Sequence, residues 1–141
     1  MKKKLINIYW FKRDLRLEDN EPLHEASKQS EKLLLIYFLE DKLISDPHYS
    51  NFHWNFVKQS IEDINLSLGK KSILFLNCDP IEGFKKISEK YKIKSIYSHM
   101  ETGIELTYLR DINVKKYCNS NSIHWFEYEK NYVKRLSLIH I

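Results

Sequence analysis

Leu33-Leu34-Leu35-Ile36-Tyr37-Phe38-Leu39 is an unbroken apolar run of strand length. A strand with one face in water would alternate apolar and polar residues, so a run without alternation reads as a strand covered on both faces, as in a parallel sheet. Leu5-Ile6-Asn7-Ile8-Tyr9-Trp10-Phe11 reads the same way upstream, and Ser72-Ile73-Leu74-Phe75-Leu76 downstream. Ser95-Ile96-Tyr97-Ser98 and Ile123-His124-Trp125-Phe126 complete five predicted strands.

Between the strands the period changes to that of a helix. Trp54, Val57, Ile61, Ile64 and Leu68 recur three or four residues apart and form one apolar stripe, which Gly69 ends. Asp79-Pro80-Ile81-Glu82 opens the next helix: Asp79 caps, Pro80 sits where its missing N–H costs nothing, and Glu82 can reach back. Ile81, Phe84, Ile87 and Tyr91 give that helix its buried face. Thr102-Gly103-Ile104-Glu105 is a second capping box, opening a helix to about Asn119. A shorter helix from Glu21 to about Gln29 is capped by Asp19 or Asn20. Strands and helices alternate throughout. With right-handed crossovers this order predicts a five-stranded parallel sheet, Rossmann-like and doubly wound, with helices on both faces. No internal repeat, low-complexity tract or interior linker divides it.

Composition excludes several classes. The chain has 141 residues, 43% of them hydrophobic and 30% charged, which argues against a disordered, collagen-like or disulfide-scaffold chain. With 3 Gly and 3 Pro, a turn-rich all-β protein is disfavoured. A net charge of +4 permits an anionic partner without demanding one. Cys78 and Cys118 lack metal-site spacing and read as reduced thiols of a cytoplasmic protein. The start of the chain reads as a strand rather than a signal peptide, because the apolar run is short and passes into Lys12-Arg13-Asp14 without a small-residue cleavage site. The longest apolar run is far short of the roughly 20 residues of a membrane span.

In such sheets ligands bind beyond the carboxyl ends of the strands, where the strand order reverses. Lys12, Arg13, Asp14 and Arg16 follow strand one, Asn77, Cys78 and Asp79 follow strand three, and His99, Met100 and Glu101 follow strand four. If strands one and four are neighbours, Lys12 and Arg13 approach His99 and Glu101 in a polar, cationic crevice suited to an anionic or hydrogen-bonding ligand. The competing reading makes Arg13, Asp14 and Arg16 a structural ion-pair network that ties the first loop to the sheet. No glycine-rich phosphate loop follows strand one, and no GxSxG elbow is present. His24, Glu62 and Asp63 read as solvated, His53 as packing, and Trp10, Trp54 and Trp125 as core. The Lys2-Lys3-Lys4 run reads as a solvated end, with contact to nucleic acid as the alternative.

Trp10-Phe11-Lys12-Arg13-Asp14-Leu15-Arg16-Leu17-Glu18-Asp19-Asn20-Glu21-Pro22-Leu23 resembles the opening signature of the DNA photolyase and cryptochrome family. The same family is resembled by His53-Trp54-Asn55-Phe56-Val57 with Ser60 and Asp63-Ile64-Asn65. It is resembled again by Ser98-His99-Met100-Glu101-Thr102-Gly103 with Thr107-Tyr108 and Arg110-Asp111, and by Tyr132-Val133-Lys134-Arg135. The resemblance implies an N-terminal α/β domain over residues 1–131 and the start of an interdomain linker over 132–141. In the family, this domain carries or borders a folate or deazaflavin antenna, and the catalytic FAD sits in a separate C-terminal helical domain. The implied antenna-cleft residues are Lys12, Arg13, His99, Glu101 and Glu105. The implied activity of the whole protein is that of a carbon–carbon lyase. Reduced FAD donates an electron in light to a pyrimidine dimer flipped out of damaged DNA. A chain without the flavin domain is then expected to be inactive, to lack its helical partner in cis, and to be a monomer without a membrane partner.

Two departures from the family pattern predict weak or absent antenna binding. Folate-binding members place Asn-Glu where Ile104 and Glu105 stand, and many relatives carry an arginine where Phe52 stands. Each removes a polar contact to an anionic pterin. The apolar tail Leu136-Ser137-Leu138-Ile139-His140-Ile141 reads as a truncated, frameshifted or chimeric end, or else as a true terminus packed on the sheet edge. The alternatives to a photolyase are a cryptochrome photoreceptor and a stand-alone α/β ligand-binding module. A phosphate receiver domain would need clustered acids after strand one, and Lys12-Arg13 with the single Asp14 argues against it.

Overall fold

The computed structural model describes residues 3–12, 15–17, 20–40, 44, 51–69, 73–100 and 105–128. The predicted Arg13, Asp14, Glu101 and Thr102, and the linker and tail beyond 128, lie outside the described residues. The elements in chain order are β1 (Lys4–Phe11), α1 (Glu21–Ser27), β2 (Lys32–Phe38), α2 (Asn51–Ser67), β3 (Ile73–Leu76), α3 (Pro80–Lys90), β4 (Tyr91–His99), α4 (Glu105–Ser120) and β5 (His124–Tyr128). The strands form one sheet in the order β3-β2-β1-β4-β5, and every pairing is parallel. The sheet is therefore the doubly wound one expected from the alternation of periods. Strand order reverses between β1 and β4, which are neighbours.

Alternate residues of the central strand feed two cores. Ile6, Ile8 and Trp10 point to one face with Phe84 and Ile87 of α3 and Val114 and Cys118 of α4. Tyr9 and Phe11 point to the other, with Leu23 and Ala26 of α1 and Val57, Ile61 and Ile64 of α2. In the first core Trp10, Phe38 and Phe84 meet edge to face, with ring centres 5.2–5.8 Å apart. Each such pair adds about 1 kcal/mol beyond its buried area.

Local signals set the helix ends. The Asp79 carboxylate accepts the Ile81 N–H at 3.1 Å ahead of Pro80. Glu82 faces Lys86 at 3.8 Å, an exposed ion pair of small energetic weight. Gly69, at φ +74°, takes the left-handed conformation that ends the α2 segment. At the start of α1, Asn20 rather than Asp19 is described as the cap, accepting the Leu23 N–H.

Three expectations need correction. β4 begins at Tyr91, four residues before the predicted start, and Tyr91 is a strand residue rather than part of the α3 face. The helix ends at Lys90 and the chain turns straight into the strand, because Tyr91 pairs with Lys4 of β1. β3 is not covered on both faces: it is an edge strand, and Leu74 and Phe75 are more than 40% exposed. α1 ends at Ser27, two residues short of Gln29.

Gly83 sits inside α3, where glycine lacks helical preference, because Phe38 lies against it. A Cβ at that position would stand 2.2 Å from Phe38 Cε1 and 2.9 Å from Cζ. Gly83→Ala is expected to lower stability by about 2 kcal/mol, overpacking outweighing the roughly 1 kcal/mol gained in helix propensity. Urea unfolding followed by circular dichroism measures the difference; an unchanged or raised midpoint would contradict this packing.

Candidate functional site

Parallel strands bring their carboxyl ends to one edge. Lys12 follows β1 there, Glu40 follows β2, His99 ends β4 and Glu105 opens α4. Successive strand residues point to opposite faces. Lys12 consequently lies on the Trp10 side of the sheet, beneath α4, and His99 lies on the Tyr97 side with α1. The two share an edge and a switch point, but not a face.

On the α4 side the charged groups neutralise one another. Lys12 Nζ lies 3.1 Å from Asp111 Oδ2, Arg110 Nε donates to Asp111 Oδ1 at 3.0 Å, and Arg110 Nη1 donates to Glu40 Oε2 at 2.8 Å. The side chains are nearly dehydrated, Lys12 at 2% and Arg110 at 7% exposure. Both cations also lie over the Trp10 ring, at 4.3 and 5.0 Å from its centre. Trp10 stacks on Trp125, whose indole N–H donates to the Ser98 hydroxyl at 2.9 Å. Burial pushes the Glu127 carboxyl above the usual carboxylate range, a shift that Lys12 opposes. Two cations and two carboxylates form a tie that fastens α4 to the ends of β1 and β2. Sequence reasoning missed Glu40 and Glu127. Arg110 could have been found: with Thr107, Val114 and Cys118 it occupies the buried stripe of α4 at helical spacing, and a charge on such a stripe needs a partner.

On the α1 side one amide closes the first loop. Asn20 Oδ1 accepts the Leu23 N–H at 3.2 Å and stands 3.2 Å from His99 Nε2. Its Nδ2 donates to the Tyr9 hydroxyl and to the Arg16 carbonyl, both at 3.0 Å. Asn20 is buried, so these bonds satisfy an amide that would otherwise cost free energy to dehydrate. Glu105 is exposed in the first turn of α4. Arg13 and Glu101 lie outside the described residues.

A separate concavity was not anticipated. A groove of about 570 Å³ runs between α2 and the edge strand β3, walled by Leu39, Trp54, Val57, Ile61, Ile73 and Phe75. Asn55, Lys58 and Glu62 supply polar groups beside this apolar wall. Its chemistry suits an aromatic ring system with a polar margin. Trp54, expected in the core, packs against the second core half-buried and also lines this groove. Among the described residues no cluster of His, Cys, Asp or Glu could hold a metal ion, and no helix is long and apolar enough to cross a membrane.

The DNA photolyase family model matches residues 7–138. The chain therefore belongs to the DNA photolyase family, of which it resembles the N-terminal α/β domain. It is similar to the chloroplastic/mitochondrial cryptochrome DASH of Arabidopsis thaliana, with 28% identity over 72% of this chain and 19% of the relative. The crystal structure of the Synechocystis cryptochrome superposes with a TM-score of 0.81 at 26% identity, covering 92% of this chain and 28% of that one. The photolyase of the archaeon Sulfolobus tokodaii, solved with two FAD molecules, gives a TM-score of 0.73 at 26% identity over 87% of this chain and 29% of that one. The chain spans about a fifth of the length of the curated relatives it matches.

Asp111→Ala is expected to cost about 3 kcal/mol, since breaking a buried pair strands its partner charge. Glu127→Gln is expected to do the opposite. A carboxyl with a raised folded pKa loses stability as pH rises from the ordinary glutamate range through its folded value. The amide should thus stabilise the fold at neutral pH, and its advantage should vanish in acid. Urea unfolding of both variants across a pH series tests the pair; a Glu127→Gln effect independent of pH would exclude the ionisation argument.

Proposed function

We propose that this chain is the antenna-side N-terminal domain of a deoxyribodipyrimidine photolyase, a light-driven DNA-repair flavoprotein, and that alone it repairs nothing. The observation that carries this reading is one continuous family match, residues 7–138, laid on a doubly wound sheet. The buried charged groups described at the carboxyl edge are committed to internal bonds, Lys12 to Asp111 and Arg110 to Glu40. That is the chemistry of a rigid mount. In the whole protein, FAD held by a separate helical domain supplies the electron that splits a pyrimidine dimer in light. Damaged DNA and that helical domain are the partners on this reading.

The cleft residues Lys12, Arg13, His99, Glu101 and Glu105 border the antenna position on this proposal. Affinity for a folate is weak, because Ile104 and Phe52 replace an amide and a cation, and because Lys12 is already paired. A deazaflavin or flavin ring finds better shape in the apolar groove between α2 and β3. The second FAD in the archaeal photolyase, whose title implies a novel light-harvesting cofactor, supports a chromophore of that kind. The thiols Cys78 and Cys118 are free, and burial pushes Cys118 up to about 11. Such thiols fit a reducing compartment, the cytoplasm on this reading.

A second reading makes the domain part of a cryptochrome photoreceptor, and the Arabidopsis and Synechocystis relatives favour it. Dimer splitting in light by the whole flavoprotein supports the photolyase; FAD binding with dimers left intact supports the photoreceptor. For the 141-residue chain itself, illumination with dimer-containing duplex and added FAD is expected to give no repair above the dark control. A reduced-folate fluorescence titration is expected to be weaker than micromolar. Light-dependent repair by the chain alone would overturn the division of labour, and tight folate binding the antenna argument.

A further inference from the structure

We propose that the amino edge of the sheet, opposite the edge described above, is a docking surface for the phosphate backbone of a nucleic acid. The proposal does not depend on whether the whole protein repairs DNA or signals. It rests on five lysines gathered about one ring. The β1–β4 register sets Lys4 beside Tyr91 and Leu5 beside Lys92. Lys32 of β2 and Lys90 of α3 lie 5.8 and 5.5 Å from the centre of the Tyr91 ring. Lys3 donates to the Ser88 carbonyl and shares with Lys92 a groove of about 360 Å³, with Asn121 at its margin.

Lys3, Lys4, Lys32, Lys90 and Lys92 are all exposed, and no carboxylate among the described residues pairs with them. A sixth lysine, Lys94, is held by Glu31 at 3.2 Å. The carboxyl ends of all four helices reach the same edge and offset roughly half a charge each, about two in all. A clear cationic excess remains, denser than the chain's net +4 spread over its surface. Structural need does not account for it: one lysine in the last turn of α3 would satisfy that helix end.

The surroundings favour nucleic acid over a membrane. Phe56 and Tyr108, the two most exposed aromatic residues and the best suited to anchor in a bilayer, lie in the first halves of α2 and α4, toward the other edge; the exposed apolar residues toward the lysine edge, Leu5, Leu66 and Leu68, are aliphatic. Tyr91 is half-buried and already attended by ammonium groups from two elements, so it is not a free stacking platform for bases. Contact is with phosphates, independent of sequence and strongly dependent on salt.

The test is fluorescence anisotropy of a labelled mixed-sequence DNA duplex, titrated with the 141-residue chain over a salt series. The triple variant Lys32→Gln, Lys90→Gln, Lys92→Gln is expected to lose about tenfold in affinity at low salt. Its log–log salt slope should be shallower by about 2.7, each phosphate contact contributing about 0.9. Arginine at the same three positions should restore both. Phe56→Glu, Met100→Glu, Tyr108→Glu, with the same change of charge at exposed positions toward the other edge, should stay within about twofold of the parent. The proposal is overturned if the parent does not bind duplex at low salt, or if the second triple loses as much as the first. It is overturned equally if phosphatidylserine vesicles, and not DNA, are bound through Lys32, Lys90 and Lys92.

Discussion

β1 is buried on both faces from Ile6 onward, and the chain must leave it without exposing unpaired polar groups to that dry interior. The described buried polar groups at the carboxyl edge answer this constraint. Lys12, the first residue past the strand, enters the α4 side and is neutralised by Asp111. Tyr9 presents its hydroxyl to the α1 side and is met by Asn20. The first loop is thus tied near both of its ends. Asn20 does this with one amide that also caps α1 and reaches His99 on the neighbouring strand. The doubly wound order puts β4 next to β1, and that adjacency supplies His99 as a partner 79 residues away in sequence.

The described part of this edge is filled by paired charges. Doubly wound sheets commonly leave the switch point open for a nucleotide. Here its described charges are consumed by cation–carboxylate and cation–ring contacts, with two tryptophans stacked below them. A concavity among the described residues lies to the side, on the flank of α2 and the edge strand, and its walls are apolar. Among the described residues the buried charge cluster and the apolar groove therefore lie apart on this domain.

Much of this was legible in the residues. Unbroken apolar runs gave the strands, and the Asp79-Pro80 and Gly69 signals gave helix ends, because these features are local. What failed was non-local. Phe75 and Leu74 look like interior strand residues, yet β3 is an edge because the crossovers take the chain back past β1. Tyr91 continues the helical period of Phe84 and Ile87, and both readings bury one side of its ring; pairing with Lys4 decided for the strand. The motif residues of the first loop were visible, but the partner of each was not. Asn20 with His99, and Arg110 with Glu40, are joined only once strand order is known.

The join between α3 and β4 has no loop: the Tyr91 N–H still bonds back to the Ile87 carbonyl while its residue already belongs to the sheet. Helix and strand are consequently one stiff piece. β4 then runs nine residues to His99, about 30 Å at the rise of a strand. It is a strut spanning the domain from the lysine-rich end to the histidine that touches Asn20. Its pairing with β1 slips by one residue at Lys94, between the Ile6–Ile93 and Asn7–Ser95 pairs, so the two ends of the strut are joined by continuous backbone with one irregularity between them.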